Sequence, residues 1–151
     1  MKIIVDDLRG PEIKALLEAH LDLMRSQSPP ESVHALDLDA LRRPEITFWT
    51  GWDGDQLLGC AALKEMDSSQ GEIKSMHTAK AARGKGIGAQ MLEHLEHNSR
   101  VRGYERLSLE TGSPDGFAPA RKLYKKFGYT ECGPFGEYAE DPFSVFMTKE
   151  L

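Results

Sequence analysis

The run Arg83-Gly84-Lys85-Gly86-Ile87-Gly88-Ala89 constrains this chain more than any other stretch. Three glycines at alternate positions stand directly before an amphipathic segment that begins Gln90-Met91-Leu92. Glycine accepts positive φ without steric cost and lets the main chain approach a ligand closely. A helix opening at Gly86–Ala89 leaves its first N–H groups unpaired, at the positive end of its dipole. That is an anion site, and phosphate is its usual occupant. Arg83 and Lys85 add charge at its rim. A glycine-rich turn ahead of a helix is the plainer reading, so spacing has to discriminate. There is no Gly-x-x-x-x-Gly-Lys-Ser/Thr, which excludes a P-loop. The dinucleotide fingerprint would require glycine at position 89, where this chain has alanine.

The surrounding pattern places the loop. Lys2–Leu8 reads as a short strand. Pro11 and Glu12 open a helix, with Ile13, Leu16, Leu17, Leu21 and Met24 as its core stripe. Ser26–Pro30 ends it, and Leu36, Leu38 and Leu41 mark a second, short helix stopped before Pro44. Ile46–Trp52 is β-branched and aromatic, hence strand. Asp53-Gly54-Asp55 turns it into Gln56–Met66, where Gly59 suggests a bulge, and Ser68–Gly71 turns that into Glu72–Thr78. The glycine loop therefore ends the third strand of a meander. Its helix carries Ile87, Met91, Leu92, Leu95 and Val101 on one face. A strand with alternating leucines (Arg106–Thr111), a helix (Ala118–Phe127) and two strands (Tyr129–Cys132, Pro142–Lys149) complete the order β-α-α-β-β-β-α-β-α-β-β.

Composition narrows the function classes. The 151 residues make one domain, and a net charge of −5 argues against a nucleic-acid partner. The local basic clusters, Lys80–Lys85 and Arg121–Lys126, flank the glycine loop, where a polyphosphate accounts for them. No apolar run nears the roughly 20 residues of a membrane span, and no signal peptide opens the chain, so a cytoplasmic protein without membrane contact is expected. Cys60 and Cys132 have neither metal nor redox spacing and read as buried thiols. His94 and His97 read as a solvated helix face, and no metal site is expected.

Arg83-x-x-Gly86-x-Gly88 between strand and helix resembles the coenzyme A loop of the GNAT family, the Gcn5-related N-acetyltransferases. A second motif, Ala120-Arg121-Lys122-Leu123-Tyr124-Lys125-Lys126-Phe127-Gly128-Tyr129, resembles that family's Ala-x-x-Leu-Tyr-x-x-x-Gly-Phe/Tyr, in the right order. The resemblance covers the whole chain. It implies a single α+β domain over residues 1–151, a mixed, mostly antiparallel sheet of about seven strands with four helices.

The resemblance also implies chemistry. Acetyl-CoA would be the cosubstrate, its pyrophosphate held by Arg83, Gly84, Lys85, Gly86, Ile87, Gly88 and Ala89. Met76 and Thr78 would give main-chain contacts to the pantetheine arm, and an N–H near Met76 or His77 would polarise the thioester carbonyl. Tyr124 would stand at the sulfur and donate a proton to the departing thiolate. Relatives place a base at the position of Glu72, and a period of two puts Glu72, Lys74, Met76 and Thr78 on one strand face. Glu110, on the neighbouring strand, is the second candidate. Substrate selection would come from the loops 25–36 and 133–141, with Tyr138 the substrate-binding candidate beside Phe135, Glu137, Glu140 and Asp141. Phe117 departs from the family's common asparagine. The expected activity is direct acetyl transfer to a primary amine, of a small molecule or of a protein, in a ternary complex. A non-catalytic acyl-CoA-binding module is the alternative, and a homodimer is left open.

Overall fold

The structure is a computed structural model, and it describes residues 1–34 and 37–151. Its centre is a seven-stranded sheet in the order β1-β2-β3-β4-β5-β7-β6. The strands are β1 (Lys2–Val5), β2 (Ile46–Asp53), β3 (Gln56–Glu65), β4 (Gln70–Thr78), β5 (Arg106–Gly112), β6 (Thr130–Cys132) and β7 (Ser144–Glu150). All pairs are antiparallel except β4–β5. Four helices, α1 (Pro11–Gln27), α2 (Leu38–Leu41), α3 (Ile87–Val101) and α4 (Ala118–Lys126), complete the expected order.

Each sheet face buries its own core. Leu63, Ile73, Leu107 and Leu109 pack with Met91, Leu92 and Leu95 of α3 and with Tyr124 of α4. Phe48, Cys60 and Ala62 pack on the other face with Ile13, Leu16 and Leu17 of α1 and Leu41 of α2. Burial of this kind contributes about 1.5–3 kcal/mol for each large aliphatic side chain.

Several local expectations are corrected. β1 stops at Val5, because Asp6 Oδ1 accepts the Leu8 N–H at 2.7 Å and turns the chain. The α3 stripe runs on from Leu95 to Ser99, four residues later, and leaves Val101 72% exposed. α2 is capped by Asp37, whose carboxylate accepts the Ala40 N–H at 2.8 Å; Leu36, expected in that helix, lies outside the described residues. The β2–β3 bulge falls beside Gly59, with Leu58 as the extra residue between Trp52↔Leu57 and Gly51↔Gly59. Cys60 is buried as expected, whereas Cys132 is exposed on the edge strand β6. His97 is exposed, but His94 is half-buried and packs edge-on against Trp49 at 5.2 Å.

One irregularity builds the site. Ala62 pairs with Lys74 and Cys60 with His77, so β4 carries one residue more than β3 between these pairs. Ser75 takes up the bulge at φ 51°, a conformation uncommon for a residue other than glycine. Beyond it the alternation reverses. Glu72, Lys74 and His77 share the α1 face, and Thr78 opposite Gly59 lies on the α3 face. The expected single face from Glu72 to Thr78 is thereby overturned. On its other side β4 pairs with β5 only from Gln70↔Arg106 to Ile73↔Leu109. Past that point the two parallel strands have no ladder, while β5 stays paired to β7 as far as Gly112.

Candidate active site

A cavity of about 690 Å³ opens where β4 and β5 part, within the range of small-molecule sites. Its walls come from α1, β4, the glycine loop, β5, α4 and the β6–β7 connection.

At one end lies the glycine loop. Gly84 and Gly86 both hold φ +77°, and a Cβ on either would meet nothing within 4 Å, so the loop faces open space. Gly86 is the left-handed N-cap of α3, and no side chain caps that terminus. The first amides of a 15-residue helix are thus free for an anion. Gly88 also serves packing, because a Cβ there would come within 3.1 Å of Leu123. Met76, His77, Thr78, Arg83, Gly84, Gly86, Ile87, Gly88 and Ala89 all line the cavity. Lys85 is exposed and is not among the lining residues. The β4 edge that faces β5 lacks a strand partner beyond Ile73, and an extended amide chain fits such an edge.

Tyr124 and Glu110 stand in the cleft. Tyr124 is 6% exposed and reaches the cavity from α4. Burial, with the nearby Glu110 charge second, raises its pKa and keeps the hydroxyl protonated. Glu110 shares its strand face with Ser108, which pairs with Glu72 across the ladder. Burial is the main cause that brings the Glu110 carboxyl up to about 7, with smaller contributions from Glu72 and Asp141, against the opposing Ser144 hydroxyl and Lys74 ammonium.

Glu72 is engaged elsewhere. Its Oε2 accepts from Lys74 Nζ at 3.1 Å and from the Tyr138 hydroxyl at 2.5 Å. Lys74 Nζ also donates to the Tyr138 oxygen at 2.8 Å, closing a triangle. Burial, and then Glu72, raise the Tyr138 pKa, so that phenol stays a donor. Its ring packs against His34, Phe135 and Phe146 at 5.1–5.5 Å.

Part of the wall lies outside the sequence motifs. His20, Leu23 and Met24 form a second α1 stripe, turned toward the cavity. Met24 had been expected in the core; the helical spacing of His20, Leu23 and Met24 was the available signal. His20 and His77 meet Nδ1 to Nδ1 at 3.0 Å. Burial lowers His20 to about 4 and, with His20 and Arg83 adding to it, His77 to about 3. Both rings are neutral near pH 7, one donating and the other accepting. Phe117, where asparagine was noted as common, lies over Gly112; a Cβ on that glycine would run into its ring.

Residues 13–129 match the Acetyltransferase (GNAT) family. The chain belongs to that family. It is 56% identical over 151 residues to YsnE of Bacillus subtilis (strain 168), an N-acetyltransferase by name, covering 100% of both chains. YedL of Escherichia coli (strain K12), also named an N-acetyltransferase, is 45% identical over 149 residues, 99% of this chain and 94% of that one. The crystal structure of a GNAT family acetyltransferase from Elizabethkingia anophelis with acetyl-CoA bound superposes with a TM-score of 0.72. It covers 99% of this chain and 97% of that chain at 20% identity, a likeness of fold. This GNAT chain is an enzyme, an N-acetyltransferase. Among its described residues no helix is long and apolar enough to cross a membrane.

Proposed function

We propose that this N-acetyltransferase moves the acetyl group of acetyl-CoA directly to a primary amine, with both substrates in the cavity together. The observation that carries the reading is the parting of β4 from β5 at a cavity that has the glycine loop at one end and Glu110 with Tyr124 in the cleft. Acetyl-CoA is consumed in this reaction and supplies a thioester carbonyl for the amine to attack.

The residues divide the work. The amides at Gly86–Ala89, with Arg83 beside them, hold the pyrophosphate. The unpaired β4 edge near Met76 and Thr78 takes the pantetheine amides as a further strand. An N–H at the bulge, Met76 or His77, steadies the negative charge on the carbonyl oxygen. Glu110 takes the proton of the attacking amine. Its carboxyl near 7 suits a base at neutral pH. Glu72 was the other candidate, but its carboxylate already serves Lys74 and Tyr138. As the nitrogen–carbon bond forms and the carbon–sulfur bond breaks, the Tyr124 hydroxyl gives its proton to the sulfur. An acceptor that arrives as an ammonium releases one proton to solvent before attack; the proton lost on attack, held by Glu110, then restores Tyr124 through solvent, leaving no net proton gained or lost by the enzyme.

The test is a set of three variants. Gly86→Glu places bulk and negative charge in the anion cradle and should abolish coenzyme A binding in calorimetry. Tyr124→Phe should keep that binding and lower kcat by roughly ten- to a thousandfold. Glu110→Gln should lower kcat/KM by roughly a hundredfold at pH 7 and remove an acidic limb near 7, with recovery in alkali where the amine deprotonates unaided. Unchanged coenzyme A affinity in folded Gly86→Glu would overturn the cofactor assignment. An unchanged acidic limb in Glu110→Gln would return the proton to Glu72 or to water.

A further inference from the structure

The acceptor half of the cavity has its own charge pattern and its own closure. The α1 stripe His20, Leu23 and Met24 presents two aliphatic side chains and a neutral ring to the space. Tyr138 adds an aromatic wall. Of the carboxylates lining this half, Glu72 is neutralised by Lys74, and both side chains of that pair are nearly inaccessible, at 5% and 9% exposure. Glu110 alone among these lining residues has no cation bonded to it. One ammonium therefore finds one counter-charge. A second would meet aliphatic wall or the Lys74 ammonium, and a buried unpaired charge is costly.

The segments around this half are fastened to each other. Ser32, 6% exposed and just beyond α1, donates to Asp141 of the β6–β7 connection at 2.6 Å. His34 packs edge-on against Tyr138 of the same connection, ring centroids 5.1 Å apart. On the other flank the Gln27 side chain lies against Gly116, so close that a Cβ there would be 2.7 Å from its Oε1. The α1 wall is thus tied to both neighbours. A polypeptide laid across the mouth would have to break those contacts on either side of its reacting amine.

We propose that the acceptor is a small molecule with one ammonium on an apolar body, and that polypeptides and polycations are refused. The proposal rests on the transferase reading above and narrows its substrate. The wall residues set the preference by contact, since desolvating an alkyl or aryl group against Leu23, Met24 and Tyr138 favours binding. The charge pattern acts by exclusion.

The experiment measures thiol release from acetyl-CoA with three acceptors: 2-phenylethylamine, spermidine, and a ten-residue peptide with a free N-terminus and one lysine. Coenzyme A affinity is measured in parallel. The expected result is a kcat/KM for phenylethylamine roughly a hundredfold above either of the others. Met24→Glu, at a half-exposed position, adds a second carboxylate to the wall. It should lower the phenylethylamine-to-spermidine ratio by roughly tenfold, a selectivity shift that damage to the fold alone would not produce. Turnover of the peptide or of spermidine on a par with phenylethylamine overturns the acceptor class and leaves the transferase reading standing. No thiol release with any of the three, while coenzyme A still binds, overturns the acceptor class, and failure to bind coenzyme A overturns the transferase reading and this one with it.

Discussion

Two glutamate–lysine–tyrosine clusters sit on opposite faces of the same sheet, and they do different things. On the α3 face, Glu96 accepts from the Tyr129 hydroxyl at 2.8 Å and from Lys149 Nζ at 3.0 Å on both oxygens. On the α1 face, Glu72 accepts from the Tyr138 hydroxyl and from Lys74 Nζ. The chemistry is the same. The sequence distances are not. Glu96 lies 33 residues from Tyr129 and 53 from Lys149, so its cluster rivets α3 to β7 and to the start of β6. Glu72 and Lys74 are two apart on one strand and would share a face in any fold of that strand. What their cluster adds is Tyr138, 66 residues from Glu72, and with it the position of the β6–β7 connection over the cavity. The first cluster holds the fold, and the second holds a wall of the site.

Removing Glu96 should give the largest effect. Glu96→Ala leaves the Lys149 ammonium, only 20% exposed, beside a tyrosine with no acceptor. Breaking a buried pair from one side typically costs about 3–5 kcal/mol, with Lys149's remaining exposure favouring the low end. Urea unfolding should show the loss, while kcat/KM per folded molecule stays at the wild-type value. Adding Lys149→Met should recover most of the stability, since an apolar pair of similar volume replaces a buried ion pair at little cost. If Glu96→Ala lowers kcat/KM without lowering stability, the comparison is reversed.

Glu110 sharpens the contrast, because it is a partly buried carboxyl on the cavity face with no lysine bonded to it. Its pKa in the folded chain is about 7, above the ordinary 4.5. The folded state therefore holds this proton more tightly than the unfolded chain does, and stability falls as pH rises from about 4.5 to about 7. Above that range the deficit is roughly 3 kcal/mol. Glu110→Gln should be more stable than wild type at pH 8 by an amount of that order, and no more stable at pH 4. Equal stabilisation at both pH values would mean that the gain comes from packing and not from the charge.

How much of this was legible in the sequence follows from the kind of force involved. The glycine loop was readable because its residues act through their own backbone: φ +77° at Gly84 and Gly86 is a local property of glycine. Element order was readable for the same reason, since periodicity and turn chemistry are local. The bulge at Ser75 was not. It appears only in the pairing of β4 with β3, where three β4 residues step against two of β3, and no glycine marks it. That one residue moved Thr78 off the face of Glu72 and made the parity argument for Glu72 fail. Glu110 and Tyr138 were named as candidates from their positions. The carboxyl near 7 and the triangle with Lys74 come from side chains that meet only after folding. His20 with His77 and Ser32 with Asp141, separated by 57 and 109 residues, were invisible on the same grounds.

The smallest effect separates the two tyrosines. Tyr129→Phe and Tyr138→Phe each delete one oxygen and keep the ring, so packing against Tyr124 in one case and Phe135, Phe146 and His34 in the other should persist. Each removes a charge-assisted hydrogen bond to a glutamate that keeps its lysine, a loss of about 1–2 kcal/mol. Stability alone will not tell them apart. Kinetics should. Without its hydroxyl, position 138 no longer ties the β6–β7 connection to Lys74 and Glu72, so the acceptor KM should rise a few-fold with kcat little changed, the pattern of a lost binding contact. Tyr129→Phe should leave KM and kcat alone, because the rivet it weakens does not face the cavity. Initial rates against acceptor concentration at saturating acetyl-CoA, run on both variants, decide the matter. A KM that moves in Tyr129→Phe and stays fixed in Tyr138→Phe would show that the wall is held by the α3 face after all.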